Sequence, residues 1–354
     1  MCGEKARRNG KTKIGKKRFF CRYCYYSFIR QRHVKVGYSD FVKFHDFIVN
    51  KLNKEAILEK EYISRTSLWR KFKPFFGYCP APEDSNFLIP KNLSNAKPRP
   101  WVLGIDGKWL HRQGVVMIYR DVTNKFNLYW SFHFSESYEA VEKDFEKVNL
   151  IIKDSLFSGV VSDWKGAIVS AVNIFFPPTP HQRCLSHVQR QLLRFLPLRS
   201  PIPATQKLRI IAKVITDIKT HEEKYYWVSS VNYWILKYGH ILKEKTIGVG
   251  VKKKWWYTHG NTRRAVKLLT FNEKHLFAYL DYPFIPNTNN SLEGLNSQIK
   301  TKLSNHRGMQ TPQQITYLFW LFTFKRIKNR YDLKRLWDSL KNKLDMSRYG
   351  EKKS

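Results

Sequence analysis

Read from its start, the chain first shows apolar positions at helical spacing. Ser39 or Asp40 can cap a helix that carries Phe41, Phe44, Phe47, Ile48 and Leu52. A short segment around Ala56-Ile57-Leu58 follows, then a basic helical stretch from Ile63 to Lys73 that opens on a capping residue. Pro80, Pro82, Pro90, Pro98 and Pro100 then interrupt any periodicity and mark a domain boundary. From Trp101 the pattern changes to that of strands. Trp101 to Trp109, Gly114 to Val122 and Asn127 to Phe134 read as an antiparallel meander turning at Asn124. Ser137 caps a helix to about Lys153 with Val141, Phe145, Val148, Ile151 and Ile152 on one face. Gly159 to Asp163 is a fourth strand, Ala167 to Phe175 a helix, and a short fifth strand precedes Cys184 and another helix. Residues 198–286 are mostly helical in pattern, and Leu292, Leu295 and Ile299 give one apolar side to a helix capped by Thr288 or Asn289.

Three antiparallel strands, a helix, a parallel strand, a helix, a fifth strand and a helix make an α/β order of the ribonuclease-H-like kind, interrupted by an α-helical insertion. In that order the first and fourth strands are neighbours. Asp106 and Asp163 then come together, although either Asp alone is explained as a turn or cap residue. An Asp at the end of an apolar strand is costly unless a hydrogen-bond network or a metal compensates it. Glu293 shares a polar stripe with Asn296 and Lys300 on its helix, but an early Glu is also simply favourable to the helix dipole.

Charge narrows the partner. The chain of 354 residues has 64 Lys+Arg against 28 Asp+Glu, a formal net charge of +36. Such an excess fits a polyanionic partner, nucleic acid first and an anionic membrane surface second. No apolar run is long enough for a transmembrane helix and the N-terminus lacks a signal peptide's apolar stretch. Five cysteines fit a reducing, cytoplasmic setting better than a disulfide scaffold.

Three of those cysteines lie in the basic segment 1–32. Cys21 and Cys24 have the spacing of a zinc knuckle, and Asn9 to Cys21 fits the middle hairpin of a zinc ribbon. Cys2 stands where the second Cys of a first pair belongs. Its partner lies before Met1, or the site has degenerated, or His33 substitutes; three free thiols on a basic arm is the plain alternative. Residues 38–78 outline a helix-turn-helix with Arg65, Thr66, Arg70 and Lys71 on the helix that meets DNA. In the insertion, Lys252, Lys253 and Lys254 precede Trp255 and Trp256, and Arg263 and Arg264 follow. Aromatics among Lys and Arg can stack on bases. The expectation is that the tryptophans are mainly structural and the cations mainly on DNA.

Taken together and in order, these stretches resemble a bacterial Mutator-like transposase of the DDE superfamily, the variant with an N-terminal zinc-binding ribbon. The resemblance rests on Asn9-Gly-Lys-Thr with Cys21-Arg-Tyr-Cys24, Gly104-Ile-Asp-Gly, Val161-Ser-Asp-Trp-Lys-Gly, Gln182-Arg-Cys-Leu-Ser-His187, Trp256-Tyr-Thr-His259 with Arg263-Arg264, and Asn287-Thr-Asn-Asn-Ser-Leu-Glu-Gly-Leu-Asn296 with His306-Arg-Gly308. It implies a catalytic triad of Asp106, Asp163 and Glu293 holding two Mg²⁺ ions, for which Mn²⁺ substitutes, about 3.5–4 Å apart. Cys184, His187 and Asn290 are then supporting residues beside the site. Lys300, Lys302 and Arg307 hold phosphates, and Cys2, Cys21 and Cys24 are the zinc ligands. The implied partners are double-stranded DNA, as terminal inverted repeats and target, and a second copy in a homodimer; the implied place is the bacterial nucleoid. The implied segments are 1–32 ribbon, 38–78 helix-turn-helix, 79–98 linker, 99–197 core, 198–286 insertion, 287–310 the Glu293 helix and 311–354 basic C-terminal helices. Two rivals stand beside this: a non-catalytic DNA-binding protein or decayed transposase, and a nuclease of the same fold that cuts without joining.

Overall fold

A computed structural model describes residues 5–13, 15, 17–29, 36–49, 54–90, 100–153, 155, 157–248, 254–271, 273–306 and 308–346. The chain divides into two compact units, one made of residues 1–78 and 334–354 and the other of residues 79–333.

In the first unit, β1 (Arg7–Lys11), β2 (Lys17–Phe20) and β3 (Ser27–Ile29) form an antiparallel sheet in that order. Cys21 directly follows β2 and is buried, Cys24 is exposed in the turn to β3, and the Cys21 amide donates to the Tyr26 carbonyl at 2.9 Å. Cys2 and His33 lie outside the described residues, as does the question of a complete ligand set.

Three helices follow, α1 (Tyr38–Val49), α2 (Lys54–Glu61) and α3 (Arg65–Phe76). Ser64 caps α3 by accepting from the Ser67 amide at 3.2 Å. The apolar faces meet ring on ring: Phe44 lies 4.7 Å from Phe75 and 5.3 Å from Phe72. The chain's last helix, Arg330–Met346, contributes Trp337 to this core, 5.4 Å from Phe41. The segmentation read from the sequence keeps that helix with the C-terminal segment; from Lys334 onward it belongs to the unit of the chain's beginning.

The second unit is a mixed α/β assembly. It opens with a 3-10 helix, Pro82–Leu88, whose Pro82, Ser85 and Leu88 are buried, so this part of the expected linker is packed. Then come β4 (Trp101–Trp109), β5 (Val115–Asp121), β6 (Phe126–His133), α4 (Tyr138–Ile152), β7 (Phe157–Ser162), α5 (Gly166–Phe175), β8 (His181–Arg183) and α6 (Leu185–Phe195). The five strands form one sheet in the order β6-β5-β4-β7-β8. β5 is antiparallel to β4 and β6; β7 is parallel to β4 and β8.

Alternation explains the layers. Trp101, Leu103 and Ile105 of β4 face one core with Val141, Phe145 and Val148 of α4 and Ile168 and Val172 of α5. Val102 faces the other way, towards Val161, Cys184 and Ile285. Being covered on both sides, β4 is buried from Trp101 through Asp106, and it runs on past the carboxylate to Trp109.

Between α6 and the last core helices the chain forms α7 (Pro203–Lys213), α8 (His221–Tyr238), β9 (Lys245–Ile247), β10 (Trp255–Tyr257), α9 (Gly260–Thr270), α10 (Glu273–Leu276) and α11 (Ala278–Asp281). Leu208, Trp227, Trp234 and Leu269 build a second core here with Leu185 and Leu192 of α6. The insertion is therefore not wholly helical: β9 and β10 pair as an antiparallel ribbon.

Helices α12 (Asn290–Asn305) and α13 (Thr311–Phe324) complete the unit. After α13, the buried Arg326 guanidinium donates to the Asn127 carbonyl at 3.0 Å, to that of Pro82 at 2.6 Å, to the Ser85 hydroxyl at 2.7 Å, and to the Leu128 carbonyl. Among the described residues no helix is long and apolar enough to cross a membrane.

Candidate active site

The register of the parallel strands builds the site. Ile105 lies opposite Ser162, and Ser162 opposite Arg183. The next residues along each strand, Asp106, Asp163 and Cys184, therefore emerge at one level, on the edge of the sheet where parallel strands end. That edge is where open α/β sheets bind ligands.

Asp106 is 4% exposed. Its Oδ1 accepts from the Gly107 amide at 2.9 Å and its Oδ2 from the Asn296 side-chain amide at 2.6 Å. Burial, reinforced by the negative charge of Asp163, pushes its carboxyl up to about 7; the Gly107 amide, Lys165 and Asn296 oppose the shift. Asp163 sits where the chain turns sharply: the next residue, Trp164, has φ +68 and its amide donates to the Ser162 hydroxyl at 3.2 Å. The Trp164 ring lies between His181 at 4.6 Å and His275 at 4.4 Å, which fixes the turn. Asp163 Oδ1 accepts from the Lys165 amide at 3.3 Å, and Oδ2 is 3.7 Å from the Lys165 ammonium.

That ammonium also pairs with Glu136, a carboxylate the sequence reading did not single out. The Glu136 side chain is 6% exposed, burial raises its carboxyl above the usual range, and Asp163 adds to the rise. β6 runs parallel to β4, so its end falls on the same edge, and Glu136 follows it just before the Ser137 cap of α4. The strand order, once known, puts it on this edge; the sequence alone shows only an acid before a helix cap.

Glu293 enters from the opposite side of the sheet on α12. That helix packs directly on β4 because residue 104 is glycine: a Cβ there would stand 2.8 Å from Asn289 Oδ1 and 3.2 Å from Leu292 Cδ1. The Asn289 amide donates to Cys184 Sγ at 3.2 Å, the Leu185 amide to the Asn287 carbonyl at 2.9 Å, and Arg120 to the Ser291 hydroxyl at 2.8 Å. Asn296 follows Glu293 by three residues and shares its face.

Glu293 pairs with Arg190 of α6. Its ligand atoms group with those of Cys184 and His187, all within 4.8 Å of one another. Burial, then Arg190, lowers the His187 pKa, while Asp163 and Glu293 both raise it. Asp106 and Asp163 are thus directly coupled. Glu293 is grouped instead with Cys184 and His187, while Asn296, one turn further along its helix, donates to Asp106.

Other expected residues fall as follows. Asn290 is exposed; next to it Asn289 is buried, and further along α12 Asn296 donates to Asp106. Helix phase turns Asn290 outward, so it does not stand beside the acids as expected. Arg65 and Arg70 of α3 are exposed, but Lys71 is half-buried and pairs with Asp40 at 2.9 Å. Lys254, Arg263, Arg264 and Lys300 are exposed. Lys302 is 7% exposed, and burial followed by Lys325 pulls its amine down to about 8, so it is not on an open phosphate-binding face. Lys252, Lys253 and Arg307 lie outside the described residues.

The chemistry of the donors fits a hard divalent cation. Asp106, Asp163 and Glu293 offer only carboxylate oxygens, and burial makes the charge of Asp106 costly, which a cation would relieve; among the described residues the ligand atoms of Glu293 group with those of Cys184 and His187. Lys165 now supplies the positive charge among them. Compared with family models and with curated proteins, the chain matches none.

Proposed function

We propose that the chain is a metal-dependent DNA transposase built on a ribonuclease-H-like core, cutting a strand at the ends of its element and joining the 3′-hydroxyl to target DNA. The observation that carries this reading is the coupling of Asp106 with Asp163 at adjacent parallel strand ends, with Asn296 of the Glu293 helix donating to Asp106. The strand order and the formal charge of +36 support it from either side.

Asp106, Asp163 and Glu293 would hold Mg²⁺ or Mn²⁺. A divalent ion bound there lowers the pKa of an attacking water or hydroxyl and stabilises a leaving oxygen. The chain's own groups prepare that site. Gly107 and Asn296 fix both oxygens of Asp106, so its carboxylate has one orientation before any ligand arrives. Lys165 balances Asp163 and Glu136. Arg190 steers Glu293 towards His187. Lys300, exposed on α12, would meet a phosphate of a strand bound at this edge. Arg65 and Arg70 on α3 would recognise the element's ends, with Zn²⁺ held at Cys21 and Cys24 and a second copy pairing the two ends.

A non-catalytic DNA-binding protein is favoured by one observation, that Arg190 and Lys165 already balance Glu293 and Asp163. Nicking of supercoiled plasmid by the full chain in Mg²⁺ separates the two. Asp106→Asn and Asp163→Asn each abolish nicking while duplex retention in a gel shift is unchanged. Nicking that survives both substitutions overturns the catalytic reading. Joining of an oligonucleotide with a free 3′-hydroxyl distinguishes a transposase from a nuclease.

A further inference from the structure

The β9–β10 ribbon has no place in the chemistry above, and its composition is unusual for a surface hairpin. Trp255 is 44% exposed and Trp256 39%, although a tryptophan left half open forgoes much of the gain of burial. A two-stranded ribbon is marginal by itself. This one is held at its base: the Thr258 amide donates to the Glu244 carbonyl at 3.0 Å, Thr246 and Thr258 share a hydroxyl hydrogen bond of 2.9 Å, and His259 meets Glu244 at 2.9 Å. Near its far end the Gly248 amide donates to the Lys254 carbonyl at 2.9 Å. The described part of the ribbon is thus hydrogen-bonded at both ends of its paired residues.

Register sorts the side chains. Trp255 lies opposite Ile247, and Tyr257 opposite Lys245. By alternation these four share one face, with Trp256 on the other. On the first face the rings of Trp255 and Tyr257 stand 5.3 Å apart, edge to face. Each carries a cation: the Lys245 ammonium is 4.2 Å from the centre of Trp255, and the Arg263 guanidinium 4.1 Å from that of Tyr257. Arg263 is held in place by its donation to the Leu242 carbonyl at 3.1 Å. The result is an aromatic pair with an ammonium over one face of Trp255 and a guanidinium over one face of Tyr257.

We propose that this ribbon is a stacking platform for unpaired nucleotides, Trp255 and Trp256 each offering a ring face to a base while Lys245, Lys254 and Arg263 meet the flanking phosphates. Charge decides the occupant. Residues 244–264 contain six Lys or Arg against the single acid Glu244, which repels a second copy of the same ribbon and most protein surfaces. An apolar partner alone would leave those cations desolvated and unpaired. A strand with exposed bases satisfies ring and charge together, whereas stacked duplex offers only its phosphates. The inference gives a substrate to a part of the chain remote in sequence from the carboxylates, and it does not rest on the catalytic reading.

The test is binding of the full chain to a single-stranded oligo(dT) carrying one 2-aminopurine, beside a duplex of equal length. Trp255→Ala and Trp256→Ala each weaken single-strand binding by about tenfold and relieve 2-aminopurine quenching, with duplex binding within twofold of the parent. Trp255→Phe keeps most of the affinity. Lys254→Ala instead lowers the salt dependence on both DNAs. Asp106→Asn binds the single strand as the parent does, so loss of nicking and loss of stacking are read separately. Equal losses on single strand and duplex, unchanged single-strand binding, or a Trp255→Ala variant whose change is in sedimentation alone overturns the proposal; the last would make the ribbon a contact between copies.

Discussion

At the scale of single residues, the site is set less by its acids than by what holds them. Asp106 has both carboxylate oxygens engaged, one by its neighbour's amide and one by Asn296 across the sheet–helix interface. Removing the Asn296 amide leaves Oδ2 unopposed in a buried place and frees the carboxylate to rotate. Partners of a metal-binding side chain typically account for 10–100-fold in metal affinity. Asn296→Ala is therefore expected to raise the Mg²⁺ or Mn²⁺ concentration needed for half-maximal nicking by about that factor, with Asn296→Gln no better because its amide is displaced by a methylene. Titration of nicking against metal concentration checks this, and an unchanged requirement would show that Asn296 does not prepare Asp106. Asp106 and Asp163 could be picked out in the sequence because each stands at the end of a strand-like stretch and the strand order makes those two stretches neighbours; either one alone reads equally as a turn or cap residue. Glu136 could not, because an acid before a helix cap reads as an ordinary helix start. Asn289 and Asn290 could not be told apart, since one position decides which faces Cys184.

At the scale of elements, β8 shows how a three-residue edge strand is fixed. His181 is 5% exposed, its Nε2 lies 2.7 Å from the Ser162 hydroxyl, and its ring packs on Trp164, behind Asp163. Burial, with His275 adding to it, lowers its pKa to about 3. Between pH 6.5 and about 3 the unfolded chain therefore binds a proton that the folded one refuses. Stability from this group is full above pH 6.5 and is lost as pH falls, by about 2–3 kcal/mol between pH 6.5 and 4.5. His181→Gln, which keeps an amide to face Ser162, is expected to lose less stability over that interval than the parent; urea unfolding at the two pH values measures it. Equal losses would place the acid sensitivity elsewhere. The core strands and helices of this unit were readable as elements because their apolar periods are long and clean. β9 and β10 were not: three residues are too few to show a period, and Lys, Trp and Gly around them resemble a loop.

At the scale of the whole chain, sequence order and spatial order part company. Consecutive segments were expected to be consecutive bodies, yet the residues from Lys334 onward complete the unit that begins the chain. The reason is visible in the side chains. α1 presents Phe41 towards Trp337, and Leu336, Leu340 and Leu344 are all buried, an apolar stripe at helical spacing that α1–α3 alone would leave facing water. A three-helix segment of this size buries little surface, so one additional helix is a large share of its core. Ending the chain after Leu333 is therefore expected to unfold α1–α3 while the unit of residues 79–333 keeps its structure. Hydrogen exchange reads this residue by residue: amide protection is lost in residues 38–76 and retained in β4, β5 and β7. Binding to duplex DNA should fall with it, because Arg65 and Arg70 are presented by α3. Retained protection in α1–α3 would show that those helices close their own core. Protection lost equally from β4 would show that the last helix supports the whole molecule rather than one unit. No periodicity test could have assigned the last helix to its unit, since an apolar stripe states that a partner exists without stating which.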